Sequence, residues 1–410
     1  MRLGARWRTG VPIAALVAGA SAPSFAFDFT TGSLDSAITA SGGANGTAVN
    51  SSGNIAADTA PRFDYNPATL AALGVLIEGE RTNLFQYSAD PNNAYWTKFG
   101  TATITNDAAA SPDGGTNADL VTCSFSSASV GINRDATVAT STPYAVSIYA
   151  KDSNNCAWHD IRCSLFTTPS NGGGTLDLTT PSVGTVDSGA GYSGFVNAHN
   201  SGWTRAGLLF TTDPTDTAGR VEYRLANADN DTFVSGDDAQ YMWGMQLEAG
   251  SFASSYIPTT TASLTRTADS LTVTGTNFSD EWSATAGTID VTFRLKDVSG
   301  THIVCQADDG TANNRITIWT SGTTAKATIV TGGVTQADLS LGTVAADTEH
   351  NIVFAWAAND TEGSLDGGAA QTDTSVTLPS GLDNLKIGRD TTGNELYGHV
   401  KTLDYTAARL

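Results

Sequence analysis

"YMWGMQLEAGSFASSYIPTTTASLTRTAD", residues 241–269, closes a β-rich region of the chain. Tyr241, Trp243 and Gln246 share a strand-like run with Met242, Met245 and Leu247. Glu248-Ala-Gly-Ser then breaks the run, and a Pro/Thr-rich stretch carries the chain to Arg266. Alternation along an extended strand predicts that Trp243 and Leu247 share one face. The strand would seal a sandwich begun near Asn83-Leu84-Phe85, with Pro258 ending the domain.

The rest of the chain agrees with a strand here. Of 410 residues only 15% are charged, with eight Glu and six Lys, too few to furnish long amphipathic helices. Short Val/Ile/Thr/Tyr/Phe runs lie between Gly, Asn, Asp and Ser clusters, the pattern of strands and turns. "YAVSIYAK" (144–151), "GWTRAGLLF" (202–210), "GRVEYRLA" (219–226), "GTIDVTFRLK" (287–296), "NRITIWTSG" (314–322) and "HNIVFAWAAN" (350–359) are strands on this reading, and Gly332-Gly333 and Gly367-Gly368 are hairpin turns. The fold class is all-β, with two antiparallel β-sandwiches in tandem, the first a jelly roll. Net charge is −20, which excludes nucleic acid as an expected partner, because phosphate recognition needs clustered Lys and Arg.

At the N-terminus Arg2, Arg6 and Arg8 precede an apolar stretch from Val11 to Ala22, and "SFA" at 24–26 offers a small-x-small cleavage site. Residues 1–26 therefore read as a signal peptide or a mis-called start, and the stretch is too short for a membrane span. Residues 27–80 show strand candidates without a continuous apolar face, the composition of an attachment or assembly segment ordered by a neighbour. Residues 81–262 form the jelly roll and 263–410 the second sandwich. Four cysteines settle little: Cys156 and Cys163, seven residues apart, could lie across a tight hairpin with Cys123 in the same domain, and a Cys156–Cys163 bridge stays open only if the protein matures in an oxidising compartment.

The blocks "DFTTG", "APRFDYNPATLAALGVLIEGERTNL", "YSADPNNAYWTK", "PYAVSIYAK", "GWTRA" and "WGMQLEAGSFASSYIPT", in that order over about 240 residues, resemble bacteriophage and prophage tail-fibre or head-spike proteins with a carbohydrate-binding-module-like jelly roll. "HNIVFAWAAN", "GSLDGGAAQ" and "IGRDTTGNELYGHVKTLDYTAARL" resemble concanavalin A-like (laminin-G-like) sandwiches. The resemblance implies a non-catalytic virion-surface fibre or spike that attaches to cell-surface polysaccharide, partnered by other virion proteins and assembled as a trimer. A secreted lectin-like adhesin and a glycan-depolymerising spike are the alternatives. It also implies a structural calcium between first and last strands of the jelly roll, involving Asp90 and Glu248.

Sugar recognition needs an aromatic platform beside hydrogen-bonding groups. Trp158 in "NNCAWHDIRC", flanked by His159 and Asp160, lies in a polar stretch that reads as a loop or edge, where the ring is either an exposed platform or a structural residue, and Trp319 with Arg315 reads as a second group on a sheet face. Trp96, Trp203, Trp243 and Trp356 read as core. Asp229 and Asp231 in "NADNDTFVSGDD" offer oxygen ligands of the kind calcium takes, outside any EF-hand order. No paired-carboxylate array, His-Glu-x-x-His or Gly-x-Ser-x-Gly motif is present, so no enzyme is expected.

Overall fold

The computed structural model describes residues 23–126, 129–167, 171–231 and 233–410, so most of the leader reading lies outside them. The described chain is almost wholly β and forms two compact units. One holds residues 41–73 and 78–269. The other holds the described residues up to Ala40, with 74–77 and 270–410.

In the first unit, two six-stranded antiparallel sheets face each other. One runs in the order Ser193–Ala198, Thr204–Thr211, Pro143–Asn154, Ala239–Ala249, Ala118–Cys123, Ala102–Ala109. The other runs Ser182–Val186, Gly172–Asp177, Trp158–Ser164, Ala218–Ala226, Gly131–Thr137, Thr97–Phe99. Tyr144, Val146, Ile148 and Ala150 alternate inward and meet Ile161, Cys163, Val221 and Tyr223 in the core between them.

The Ala239–Ala249 strand departs from simple alternation. Its partner advances two residues, from Tyr149 to Ser147, while it advances three, from Trp243 to Gln246. Gly244, at φ +69°, supplies the extra residue of a β-bulge. Every side chain beyond the bulge changes face. Met242, Met245 and Leu247 therefore enter the core between the sheets, whereas Trp243 packs on the outside of its sheet with Tyr149, Trp203 and Tyr256. Trp243 and Leu247 do not share a face, which corrects the reading from alternation.

The same outer layer accounts for the segment after the strand. Ile257 N–H donates to Gln246 Oε1 at 2.8 Å, and Tyr256 Oη pairs with Ser88 Oγ at 2.6 Å. Asn83 donates to the carbonyls of Met245 (3.2 Å) and Ile257 (3.0 Å), fastening the start of the sandwich to its last strand. Beneath them lies a buried ion network: Glu78 Oε2 takes Arg62 at 2.9 Å and Arg266 at 3.1 Å, and Arg62 also pairs with Asp269. Ser255 completes it by donating to both Glu78 oxygens, N–H to Oε1 at 2.9 Å and Oγ to Oε2 at 2.7 Å. Burial pushes the Glu78 carboxyl up, but Arg266 and Arg62 outweigh it and hold the group well below the usual carboxylate range. "RFDY", "IEGER", "SSYIPT" and "TRTAD" are thus the separated parts of one buried network.

The second unit opposes a seven-stranded sheet, Ile38–Ser41, Ser270–Thr274, Asn384–Ile387, Thr301–Asp308, Arg315–Ser321, Thr324–Thr331, Val334–Thr343, to a sheet centred on Ala286–Leu295, Glu349–Ala357 and Gly398–Thr406. Gly332 and Gly333, at φ +58° and +80°, make the expected two-residue hairpin. Trp356 is buried in this unit, as are Trp96, Trp203 and Trp243 in the other.

One expectation is corrected. The 27–80 segment is not a separate body awaiting a neighbour: Phe27 and Phe29 are buried with the second unit, while Ile55 and Arg62 are buried in the first. Phe25 and Ala26, on the leader side of the proposed cleavage site, pair with Tyr405 and Asp404 in a strand. The question left open for Cys156 and Cys163 is answered by the unbridged alternative: all four cysteines are buried free thiols. Cys163 lies within the Trp158–Ser164 strand and Cys156 just before it, so no hairpin separates them. Seven residues of extended chain span roughly 23 Å, far beyond disulfide reach.

Candidate functional site

Trp158 opens a strand in the interior of its sheet, neither in a loop nor on an edge strand. Its half-buried ring lies against Gly184, where an added Cβ would come within 2.4 Å of both the ring and Asp229 Oδ1. His159 and Asp160 are fully buried, which removes them as exposed sugar ligands. The His159 Nδ1 meets Gln240 Oε1 at 2.9 Å, and burial pushes the imidazole down to about 4. Asp160 pairs with Arg162 at 3.0 Å. The three residues do not form one accessible group.

The calcium candidates are not assembled either. Glu248 spends its carboxylate on Gln246 Nε2 (2.7 Å), Ser254 N (2.9 Å) and Ser254 Oγ (2.5 Å). Asp90 accepts from Asn93, Asp229 from Thr185 and Asp231 from Phe233 N–H. Among the described residues no group of three or more His, Cys, Asp or Glu is placed to hold a metal ion, and no helix is long and apolar enough to cross a membrane.

Trp319 and Arg315 are brought onto one surface, the outer face of the seven-stranded sheet. Ile316 and Ile318 point inward, so 315, 317 and 319 point out. Register then lines up Thr272, Lys386, Gln306, Thr317, Thr328 and Asp338 as a polar row across six strands. The Trp319 Nε1–H donates to Thr328 Oγ1 at 2.8 Å, which leans the indole across the neighbouring strand, and the Lys326 ammonium lies 5.2 Å from its ring centroid. Lys326 is in turn fixed by Asp338 Oδ2 at 2.8 Å.

Beside this platform, Asp308 is fully buried although its side chain is on the outer face. It takes the Lys386 ammonium at 2.6 Å on each oxygen, Gln306 Nε2 at 2.7 Å and Asn384 Nδ2 at 2.9 Å. Thr317 Oγ1 donates to Gln306 Oε1 at 3.0 Å, linking the cluster to the strand that carries Trp319. Arg315 donates to the carbonyl of Ala312. On the other side of Lys386 the face opens into a cleft of about 670 Å³, lined by Thr272, Thr274, Thr276, Leu382, Asp383 and Lys386 among others. That volume suits a small-molecule or sugar-sized ligand.

Sequence reading missed Asp308, Gln306, Lys386, Asn384, Thr272 and Thr274. A signal was present: polar residues at alternate positions, Gln306/Asp308, Asn384/Lys386 and Thr272/Thr274, each separated by a buried apolar residue. What the chain does not display is that register sets these three pairs side by side.

No family model matches the chain, and no curated protein sequence matches it. Among solved structures it is similar to the NanB sialidase of Streptococcus pneumoniae, at 16% identity over 32% of this chain, with TM-score 0.29. The chain spans 23% of that sialidase's length. It is also similar to the Ruminococcus gnavus IT-sialidase CBM40 bound to α2,3-sialyllactose (12% identity, 31% of this chain, 79% of that one, TM-score 0.28), and to domains LG4–5 of the mouse laminin α1 chain (10% identity, 79% and 92%, TM-score 0.25). Likenesses of this depth bear on neither the site nor its ligand.

Proposed function

We propose that this chain is a non-catalytic glycan-binding protein whose ligand lies across the outer face of the seven-stranded sheet, and that it serves at the surface of a phage or phage-like particle as a fibre or spike subunit attaching to host polysaccharide. The observation that carries the binding reading is Trp319, an indole leaned over its sheet by Thr328 and edged by fixed polar groups on neighbouring strands. Such a ring offers its face to the CH surface of a sugar while the neighbours meet hydroxyls. The non-catalytic part is supported by Asp308, whose carboxylate is engaged by Lys386, Asn384 and Gln306 and is closed to solvent. The particle setting is supported by the ordered sequence blocks. A secreted adhesin is the second reading, favoured by the Arg-flanked apolar stretch before residue 23.

Trp319→Ala tests the binding reading, with glycan-array signal and melting temperature measured together. Loss of a stacking platform costs about 1–3 kcal/mol of affinity by analogy with base stacking, with melting nearly unchanged. Full binding by the variant would remove the face from consideration. Mass spectrometry of purified particles and of particle-free culture medium separates the two settings.

A further inference from the structure

The groups around the cleft say what kind of glycan this face takes. Both lysines on the face are already matched within the chain. Lys386 gives its three donors to the two Asp308 oxygens and, at 2.7 Å, to Asn384 Oδ1. Lys326 is held by Asp338, and Arg315 donates to the Ala312 carbonyl. At the cleft an arriving carboxylate or sulfate would find no ammonium free of such a partner; the Arg315 guanidinium, which meets a neutral carbonyl and pairs with no carboxylate among the described residues, lies three strands away from Ser270–Thr274. The anion would meet Asp383 instead, an exposed carboxylate on the rim that pairs with no cation among the described residues. The net charge of −20 adds a long-range repulsion between the chain as a whole and a polyanion.

The groups left open are hydroxyls. Thr272 and Thr274 project outward from one strand, opposite Lys386 and Asn384, because Leu271 and Val273 between them point into the core. Thr276 follows at the cleft's edge. None of the three hydroxyls is engaged by another side chain among the described residues, while the Asn384 and Lys386 side chains beside them are fixed by Asp308. The lining is mainly apolar, with Leu382 beside the three threonines and the long Lys386 stem.

We infer that the ligand is an uncharged, polyhydroxylated chain, one residue of which seats in this cleft against Thr272, Thr274 and Thr276 while another part of it reaches Trp319. The inference rests on the reading of this face as glycan-binding. Trp319 lies three strands from the Ser270–Thr274 strand, about 14 Å at the usual strand spacing, so the two contacts need an extended oligosaccharide and not a monosaccharide.

The experiment measures binding of full-length protein to immobilised neutral polysaccharides (glucan, mannan, galactan) and acidic ones (polyuronate, sulfated and sialylated glycans) at 50 and 500 mM salt. Wild type is compared with Thr272→Val, Thr274→Val and Trp319→Ala, with melting temperature as the fold control. Valine keeps the shape and strand preference of threonine and puts a methyl in place of the hydroxyl. The expected result is salt-insensitive binding to a neutral polysaccharide, weakened about five- to tenfold by each threonine variant, with melting unchanged. Salt-weakened binding to acidic glycans alone, abolished by Trp319→Ala, would overturn the inference and leave the face reading standing. Neutral binding lost with Trp319→Ala but untouched by both threonine variants would overturn the cleft. No binding to either class would overturn both readings.

Discussion

Gly244→Ala tests whether the bulge is what divides Trp243 from Leu247. Gly244 sits at φ +69°, where an L side chain costs about 1–2 kcal/mol. A Cβ there would also lie 2.8 Å from Tyr149 Cδ2, inside any normal contact distance. Tyr149 has little room to retreat, because His199, Trp243 and Tyr256 all stand edge-on or tilted against it with ring centroids at 5.7, 5.6 and 6.2 Å. Overpacking of this kind costs roughly 1–3 kcal/mol, so the total loss should be about 2–5 kcal/mol. Gly202→Ala is the control in the same unit: its φ is +77°, but the nearest atom to a new Cβ is the flexible Lys151 side chain at 3.5 Å. It should lose only the conformational part. Urea unfolding followed by tryptophan fluorescence measures both. Equal losses for the two variants would refute the Tyr149 contact, and with it the account of the bulge.

Further outcomes come from the buried groups. Asp308→Ala should cost about 3–5 kcal/mol by leaving Lys386 unpaired, and the double replacement Asp308→Leu/Lys386→Met should cost less than that single one; a thermal melt showing additive losses would contradict the pairing. His159 titrates at about 4 in the fold against 6.5 for the ordinary imidazole, so its stabilising contribution is present above pH 6.5 and is lost as pH falls toward 4, roughly 3 kcal/mol in all. Asp119, raised to about 6 mainly by burial, runs the opposite way, its contribution present below pH 3.8 and lost as pH rises through 6; His159→Gln should therefore flatten the acid limb of a stability profile between pH 6.5 and 4, and an unchanged limb would refute the assignment. Intact-mass analysis of the mature protein should show a chain that retains Phe25, because its ring is buried against Tyr405 at 5.7 Å between centroids; a chain starting at Phe27 would contradict the strand pairing.

The strands were legible because alternation and turn chemistry are local: Gly332-Gly333 announces its hairpin, and "YAVSIYAK" its two faces. Trp96 and Trp356 were legible as core for the same reason. The bulge was not, since a single glycine in a strand does not say whether it adds a residue or merely lacks a side chain. The division into units was not legible either. Residues 41–73 complete the first unit and 74–77 the second, and the reason is long-range: Arg62 belongs where Glu78 and Asp269 can neutralise it. The polar flank of Trp158 suggests exposure that the fold does not give. His159 points inward to Gln240, and Asp160 is covered where Arg162 and Arg224 lie over the sheet.

The same false suggestion also explains why the site itself was hidden. Alternation tells which side of a sheet a residue faces, and a polar residue on the outer side is taken to be in water. Asp160 and Asp308 both face outward and both are fully buried, each under longer cationic side chains from the same or neighbouring strands. For folding alone a threonine at position 308 would serve, since it suits a strand and avoids the desolvation of a carboxylate–ammonium pair. The pair's effect is positional. It holds Lys386 and Asn384 still at the mouth of the cleft, occupies their donors, and through Gln306 and Thr317 ties that mouth to the strand bearing Trp319. A binding face gains from such fixation because groups already ordered lose less freedom when a ligand arrives. The costly residue and the useful surface therefore belong together, and the place to look for function on such a sheet is the outward-facing acid that water does not reach.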